Sequence, residues 1–456
     1  MRGGILCADD DLMRAFSFLH CADLHLGAPF QGLADLPAEL AARLREAPAR
    51  ALDQIVATAI ERRVAAVIIA GDVFDASDHN LRAQIQLRDR LRRLDEAGIA
   101  TLIVAGNHDP LGSAVASIEY PASVHFFDTE VEAVPLARDD EILAHVYGLS
   151  YGSPSVTENL ATKFPSEPDG PFSIALLHAN VGNRTEHDAY APCSLADLES
   201  RGFDYWALGH VHKRETLRSE APVVHYPGNV QGLHMRELGP RGATLVEVAA
   251  NGSVTMSPVW TDTVRWQRAQ TSISDFESLD DVLGAFAEIS SEAAAEAPNR
   301  LHIVLWTLTG SGPVHTDLRR PGVVAELVEA LRDEHAPEPL AGAIWLQRLE
   351  TDTRPARDIE ELRKQQDLLG DLLRLADEAR SNPTALAASE IGSDLDPGTP
   401  SEVSTVIRSE LAVLLDDPRL AALLGEDPWN TLDWPRLLRR AEVLSIEGLL
   451  GADIDS

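Results

Sequence analysis

Five short polar clusters carry the residue types that could do chemistry, and each follows an apolar run. The run Ile99 to Ala105 ends in Gly106-Asn107-His108-Asp109-Pro110. It reads as a buried parallel strand, and the proline forbids its continuation. Beyond it, the Asn107 oxygen can ligate a cation and the His108 imidazole can present a proton beside it. Ala15 to Leu19 delivers Asp23-Leu24-His25, whose alternation puts both donors on one side of an extended segment. A D-x-H pair of this kind is a compact two-ligand grip on a metal. Val64 to Ala70 ends in Gly71-Asp72, a carboxylate placed to bridge two cations, with Asp75 and His79 read as supporting or loop residues. Ser173 to Leu177 ends in His178-Ala179-Asn180, and Phe203 to Leu208 ends in Gly209-His210-Val211-His212. In the last cluster two imidazoles again flank one apolar residue.

Together Asp23, His25, Asp72, Asn107, His178, His210 and His212 are oxygen and imidazole donors with no thiolate among them. That mix suits Mn²⁺, Fe²⁺ or Zn²⁺ better than Ca²⁺ or a structural zinc. Seven ligands and one free imidazole, His108, fit two cations that share Asp72. Two such ions about 3.5–4 Å apart can polarise a phosphodiester and lower the pKa of a water. Each cluster has a bland alternative, such as a polar turn at 107–109 or a helix-capping Asp23 with an incidental His25. Five in succession, each after a β-run, are hard to ascribe to chance.

The elements that must position these clusters form an α/β pattern. Helical periodicity runs from Leu36 to Arg63 and from Asn80 to Ala97, the latter rich in arginines expected to face solvent. Val124 to Phe127, Ile142 to Leu149, Val223 to Tyr226 and Ala243 to Val248 read as further strands. His125 and His145 fall inside two of them and read as structural. A smaller mixed α/β unit follows from residue 263 to about 350, with helices near Leu279–Ala295 and Gly322–Glu334 and strands near Leu301–Leu308 and Ala343–Leu349. From Ile359 the pattern is helical, and Ser393 to Pro400 is a linker by composition. The leucines after Pro400 read equally as a small core or as a partner-binding face.

Composition sets the outer bounds. The 456 residues allow two or three domains, and no run of about 18 apolar residues could span a bilayer. Ile5-Leu6-Cys7-Ala8 is too short for a secretory core and is followed at once by Asp9-Asp10-Asp11. Cys7, Cys21 and Cys193 form no disulfide framework, so a reduced, cytoplasmic protein is expected. The formal charge is −33, and Lys163, Lys213 and Lys364 are the only lysines. A protein that grips nucleic acid unaided is usually basic overall or has a basic face, so any DNA contact here is expected to be local, arginine-based or shared with a partner. Twelve of the fifteen histidines precede residue 235, which places the chemistry in the N-terminal part.

The series D-x-H, GD, GNHD, H, GHxH resembles the signature of the calcineurin-like metallophosphoesterases. The wording is closer still to DNA repair exonucleases of the SbcD and YhaO type. It is carried by His20-Cys21-Ala22-Asp23-Leu24-His25-Leu26-Gly27, Leu81-Arg82-Ala83-Gln84, Gly106 to Pro110, and Phe203-Asp204-Tyr205-Trp206-Ala207-Leu208-Gly209-His210-Val211-His212. The resemblance covers about residues 14 to 248. It implies a double β-sheet sandwich flanked by helices, followed by a small α/β capping domain and a helical C-terminal segment. The expected division is a disordered extension 1–13, a catalytic domain 14–262, a capping domain 263–356, a helix and linker 357–400, and a partner-binding helical segment 401–456. One cation would be held by Asp23, His25, Asp72 and His212, the other by Asp72, Asn107, His178 and His210. His108 would contact the scissile phosphate and help the leaving oxygen depart, with Asp109 orienting it.

The activity so implied is that of a metal-dependent DNA exonuclease or endonuclease subunit, with Mn²⁺ the expected metal and Fe²⁺ or Zn²⁺ the alternatives. DNA, an SbcC-like coiled-coil ATPase and a second copy of the chain are the partners to look for, and no membrane. The chain carries no phosphate-binding loop of its own, since none of the three lysines follows a glycine. Two rival readings use the same residues. One is a phosphomonoesterase or cyclic-nucleotide phosphodiesterase; the other is a non-catalytic scaffold for DNA ends or an ATPase.

Overall fold

The period-two alternation of the β-runs sends neighbouring side chains into different cores, and this organises the chain. The structure is a computed structural model that describes residues 13–33, 36–75, 81–112, 118–182, 190–335 and 343–356, with 359–364, 366, 370, 373, 374 and 377. Residues 1–12 of the expected N-terminal extension, His79, the expected linker and the leucine-bearing helices after Pro400 lie outside the described residues; Met13, placed in that extension, packs against the core between the sheets. In chain order the elements begin β1 (Phe16–Cys21), α1 (Ala38–Arg62), β2 (Ala66–Ala70), α2 (Leu81–Glu96), β3 (Ala100–Val104) and β4 (Val124–Phe126). Next come β5 (Glu132–Arg138), β6 (Glu141–Leu149), β7 (Ser173–His178), α3 (Leu195–Glu199), β8 (Tyr205–Gly209) and β9 (Glu215–Arg218). They continue as β10 (Val223–Tyr226), β11 (Gly242–Val248), β12 (Val254–Trp260), β13 (Val264–Ser272) and α4 (Leu279–Glu296). The last are β14 (Leu301–Gly312), α5 (Val314–Leu318), α6 (Val323–Glu334), β15 (Ile344–Pro355) and α7 (Ile359–Lys364).

Two six-stranded sheets result, ordered β12-β11-β1-β2-β3-β4 and β5-β6-β7-β8-β10-β9. In each, four consecutive strands are parallel: β1 to β4, and β6, β7, β8 and β10. Phe16 and Phe18 of β1, Ala66 and Ile68 of β2, Ile174 and Leu176 of β7, and Tyr205 of β8 fill the layer between the sheets. The alternate residues Leu19, Val67 and Ile69 pack under α1 and α2. On the outer face of the second sheet, Ala175, Leu177, Trp206 and Leu208 join a third cluster. The fold is thus the expected double β-sheet sandwich flanked by helices. Among the described residues no helix is long and apolar enough to cross a membrane.

The arginines of α2 do more than face solvent. Arg90 donates to Asp53 at 2.5 Å and to the Ala49 carbonyl at 3.1 Å, and Arg93 reaches Asp53 at 2.9 Å. Asp53 belongs to α1, so these contacts fasten the two helices that cover the first sheet.

The chain divides into two units. Among the described residues, the first comprises those within 1–268, 290–304 and 335–347, and the second those within 269–289, 305–334 and 348–456. In the first, Leu40 and Leu44 of α1 pack with Trp266, Ile303 and Trp345. In the second, Phe286 lies against Trp306 with ring centroids 5.4 Å apart, and Trp306 Nε1 donates to Thr271 at 2.9 Å. The strands β13, β14 and β15 form a separate three-stranded sheet.

Candidate metal centre

All five polar clusters leave the carboxyl ends of parallel strands, where ligand sites of open α/β sheets form. Asp23 and His25 follow β1, Asp72 follows β2, Asn107 and His108 follow β3, His178 ends β7, and His210 and His212 follow β8. The first two loops remain tied beyond the sheet: Asp23 N–H donates to Gly71 O at 3.1 Å and His25 N–H to Asp72 O at 3.0 Å. Asp23, His25, Asp72 and His210 have φ of 51°, 44°, 50° and 93°. Left-handed backbone at residues with a Cβ costs about 1–3 kcal/mol each and persists where the surroundings enforce it. The motif glycines make room for this. A Cβ at Gly71 would lie 2.3 Å from His178 Nδ1, and one at Gly106 would lie 2.2 Å from Asp72 Oδ1.

The donors converge in three overlapping groups, each with ligand atoms within 4.8 Å of one another: Asp23, His25 and His212; Asp23, Asp72 and His178; and His25, Asp72 and His108. His25 Nε2 and His212 Nε2 are 3.1 Å apart, with Asp23 Oδ1 4.0 Å from the latter. His178 Nε2 lies 3.0 Å from Asn107 Oδ1 and 3.4 Å from Asp72 Oδ2. The sequence-expected residues therefore come together, and Asp23, His25 and Asp72 are each common to two groups. Two fit differently. The His210 imidazole belongs to none of the three groups; its ring centroid is 5.2 Å from that of His178, and its backbone N–H donates to Asp23 Oδ1 at 3.2 Å. His108, expected to be free of metal, lies near enough to His25 and Asp72 to form a group with them, its ring centroid 4.9 Å from that of His25.

The electrostatics match a divalent cation. Burial pushes the Asp23 carboxyl up to about 6 and the His25 imidazole down to about 3. Burial likewise opposes the ionised form of Asp72, but the charge and hydrogen bond of His178 outweigh it and hold that carboxyl low. Burial opposes the charge of His178, but Asp72 overcomes it and pushes that imidazole up to about 9; a dication would displace that proton and supply the positive charge in its place. The residues present fit two such ions.

Around the donors, three carboxylates do different work. Asp75 Oδ1 lies 3.0 Å from His108 Nδ1, so Asp75 holds this imidazole. Asp109, expected to orient His108, instead accepts from Gly106 N–H at 2.8 Å, Val73 N–H at 2.7 Å and Phe74 N–H at 3.2 Å. Adjacent side chains in this loop point apart, and Asp109 staples the loop after β3 to the loop after β2. The third, Glu237, contacts His212 Nδ1 and accepts from Leu233 N–H at 2.6 Å. Burial opposes its ionisation, but His212 overcomes this and holds the carboxyl at about 2. Sequence reasoning missed Glu237; the only signal in its turn was His234, three residues before it. His125 pairs with Glu132 at 2.9 Å and His145 with the Asp169 carbonyl at 3.0 Å, both as structural residues.

A family model described as calcineurin-like phosphoesterase matches residues 16–214, and one described as metallophosphoesterase YhaO, middle domain, matches residues 266–354. The chain is 33% identical over 353 residues to the uncharacterized metallophosphoesterase YhaO of Bacillus subtilis, covering 77% of this chain and 85% of that protein. It is 28% identical over 255 residues to the DNA double-strand break repair protein Mre11 of Sulfurisphaera tokodaii, covering 52% of this chain and 61% of that protein. To SbcD, a component of the nuclease SbcCD of Bacillus subtilis, it is 24% identical over 306 residues, covering 58% of this chain and 75% of that protein.

Proposed function

The chain belongs to the calcineurin-like metallophosphoesterases, and we propose that within this family it is a Mn²⁺-dependent DNA nuclease subunit of the cytoplasm, acting in DNA repair. The observation that carries the reading is the convergence of the donors in three overlapping groups, in which Asp23, His25 and Asp72 are each shared by two and His108 belongs to one. Asp23, His25, Asp72 and His212 would hold one cation, and Asp72, Asn107, His178 and His210 the other. Bound together, two divalent cations polarise a phosphodiester and make a water nucleophilic at neutral pH. The rest is the work of the chain's own side chains. Asp75 fixes the His108 ring through Nδ1, which aims Nε2 away from that carboxylate and toward the leaving oxygen. Asp109 keeps the two loops in register, so that His108 and Asp72 approach the phosphate together; His108 N–H itself donates to Asp72 Oδ1 at 2.9 Å.

DNA as the substrate is supported by the relatives named as a break-repair protein and as part of a nuclease. The test is direct. The purified full chain with Mn²⁺ should degrade linear duplex or single-stranded DNA and hydrolyse a chromogenic phosphodiester. Turnover of a phosphomonoester or a cyclic nucleotide without any DNA cleavage would replace the nuclease reading by the small-molecule one. The charge of −33 supports a further part of the proposal, that a coiled-coil ATPase supplies the basic surface for DNA. Nuclease activity of the chain alone should then be weak, and DNA cleavage should rise when the ATPase is added.

A further inference from the structure

Two imidazoles, one assigned to each cation, are backed in different ways. His178 Nδ1 lies 2.8 Å from the Ala70 carbonyl, a neutral partner on β2. His212 Nδ1 faces the Glu237 carboxylate, whose side chain is 6% exposed. The second arrangement is built with some care. Glu237 Oε2 is fixed by Leu233 N–H at 2.6 Å, and Arg241 donates to the His212 carbonyl and to Asn229 Oδ1, the latter at 3.1 Å. Both the ring and the backbone of His212 are thereby gripped from the segment 232–241. His234 Nε2 also approaches Glu237, at 3.5 Å, but from a side chain that is 32% exposed.

An imidazole that donates Nδ1–H to a carboxylate is a stronger donor through Nε2 than one that donates to a carbonyl, because the anion draws the proton away and enriches the ring. Burial strengthens the effect by limiting solvent screening. The same hydrogen bond selects the tautomer whose Nε2 lone pair faces Asp23 and His25. We propose that Glu237 is a positioning residue for His212 and makes the Asp23–His25–His212 group the tighter of two cation sites, so that the sites fill in order. This rests on the two-cation reading above and assigns an asymmetry within it.

The test titrates Mn²⁺ into the chelator-stripped full chain, read by calorimetry and by the electron paramagnetic resonance signal of free Mn²⁺. The wild type should show two steps of distinct affinity. Glu237→Gln keeps an acceptor but loses the charge, and should weaken the tighter step about tenfold; Glu237→Ala loses both, and should weaken it about a hundredfold. His178→Ala should remove the looser step and leave the step that Glu237 controls. Melting temperatures accompany each variant, and if Glu237→Ala does not fold, the isosteric Glu237→Gln decides. A single affinity class in the wild type overturns the inference. So does a tighter step unmoved by both substitutions, or an equal weakening of both steps. DNA cleavage is measured separately: two ordered steps in a wild type that cuts no DNA would defeat the nuclease reading and leave the role of Glu237 standing.

Discussion

The Nδ1 nitrogen of His108 lies 3.0 Å from Oδ1 of Asp75, 33 residues earlier in the chain. The two loops that bring them together follow adjacent parallel strands, and Asp109 binds those loops through three backbone N–H groups. Asp75→Asn should preserve the shape of the pair while removing the charge that fixes the ring. Turnover should fall about ten- to a hundredfold with cation content unchanged. Metal analysis of the purified variant is the check, and loss of metal along with activity would make Asp75 part of the cation site.

Removal of the imidazole itself should be more severe. His108→Ala should lower turnover by about 10²–10⁴-fold, the range for a general acid, and leave both cations bound. Because His108 also lies in a donor group with His25 and Asp72, this is a discriminating experiment. A fall in bound Mn²⁺ would make His108 a ligand.

In the proposed assignment Asp72 alone serves both cations, so it should be the most damaging single ligand to lose. Asp72→Asn should reduce occupancy at both sites, whereas His212→Ala should chiefly empty one. Equal stoichiometry in the two variants would remove the case for a shared carboxylate.

Gly106→Ala tests the crowding behind the site. Its Cβ would meet Asp72 Oδ1 at 2.2 Å and Asp72 N at 2.8 Å, inside contact distance. Overpacking of this kind costs about 1–3 kcal/mol, and here the strain falls on the shared carboxylate. The variant should melt at lower temperature and bind less Mn²⁺. A normal melting temperature with full occupancy would mean that the loop yields freely.

Between the sheets, His225 is buried against Thr216 at 2.9 Å and Thr244 at 2.8 Å. Burial, aided by the Arg214 charge, pushes this imidazole down to about 3. The unfolded chain takes up its proton near pH 6.5, while the folded chain does so only near 3. Above pH 6.5 both states are neutral and nothing changes; below it the unfolded state binds more protons, so stability falls as the pH falls. The slope is about 1.4 kcal/mol per pH unit for this one group. Urea unfolding at about pH 7.5, 6 and 5, with chelator throughout, should show the wild type losing stability faster than His225→Gln. Parallel curves would show that His225 is not held neutral.

The positions of the clusters were legible in the sequence because the physics that sets them is local. An apolar run long enough for a strand, followed by a donor, marks the carboxyl end of a parallel strand, and Asp23, Asp72, Asn107, His178 and His212 follow from that pattern; a glycine stands between run and donor at Asp72, Asn107 and His210. The alternation that put Phe18 and Leu19 into different cores was legible for the same reason. What only the tertiary structure decided was which carboxylate serves which imidazole. Asp109, next to His108 in sequence, points to the backbone of Val73 and Phe74, while Asp75 and Glu237 reach His108 and His212 from other loops. Hydrogen-bond partners across loops depend on strand order and register, which pair residues 25 to 36 positions apart here. No local spacing encodes that pairing, because the sheets bring the loops together and the loops alone do not.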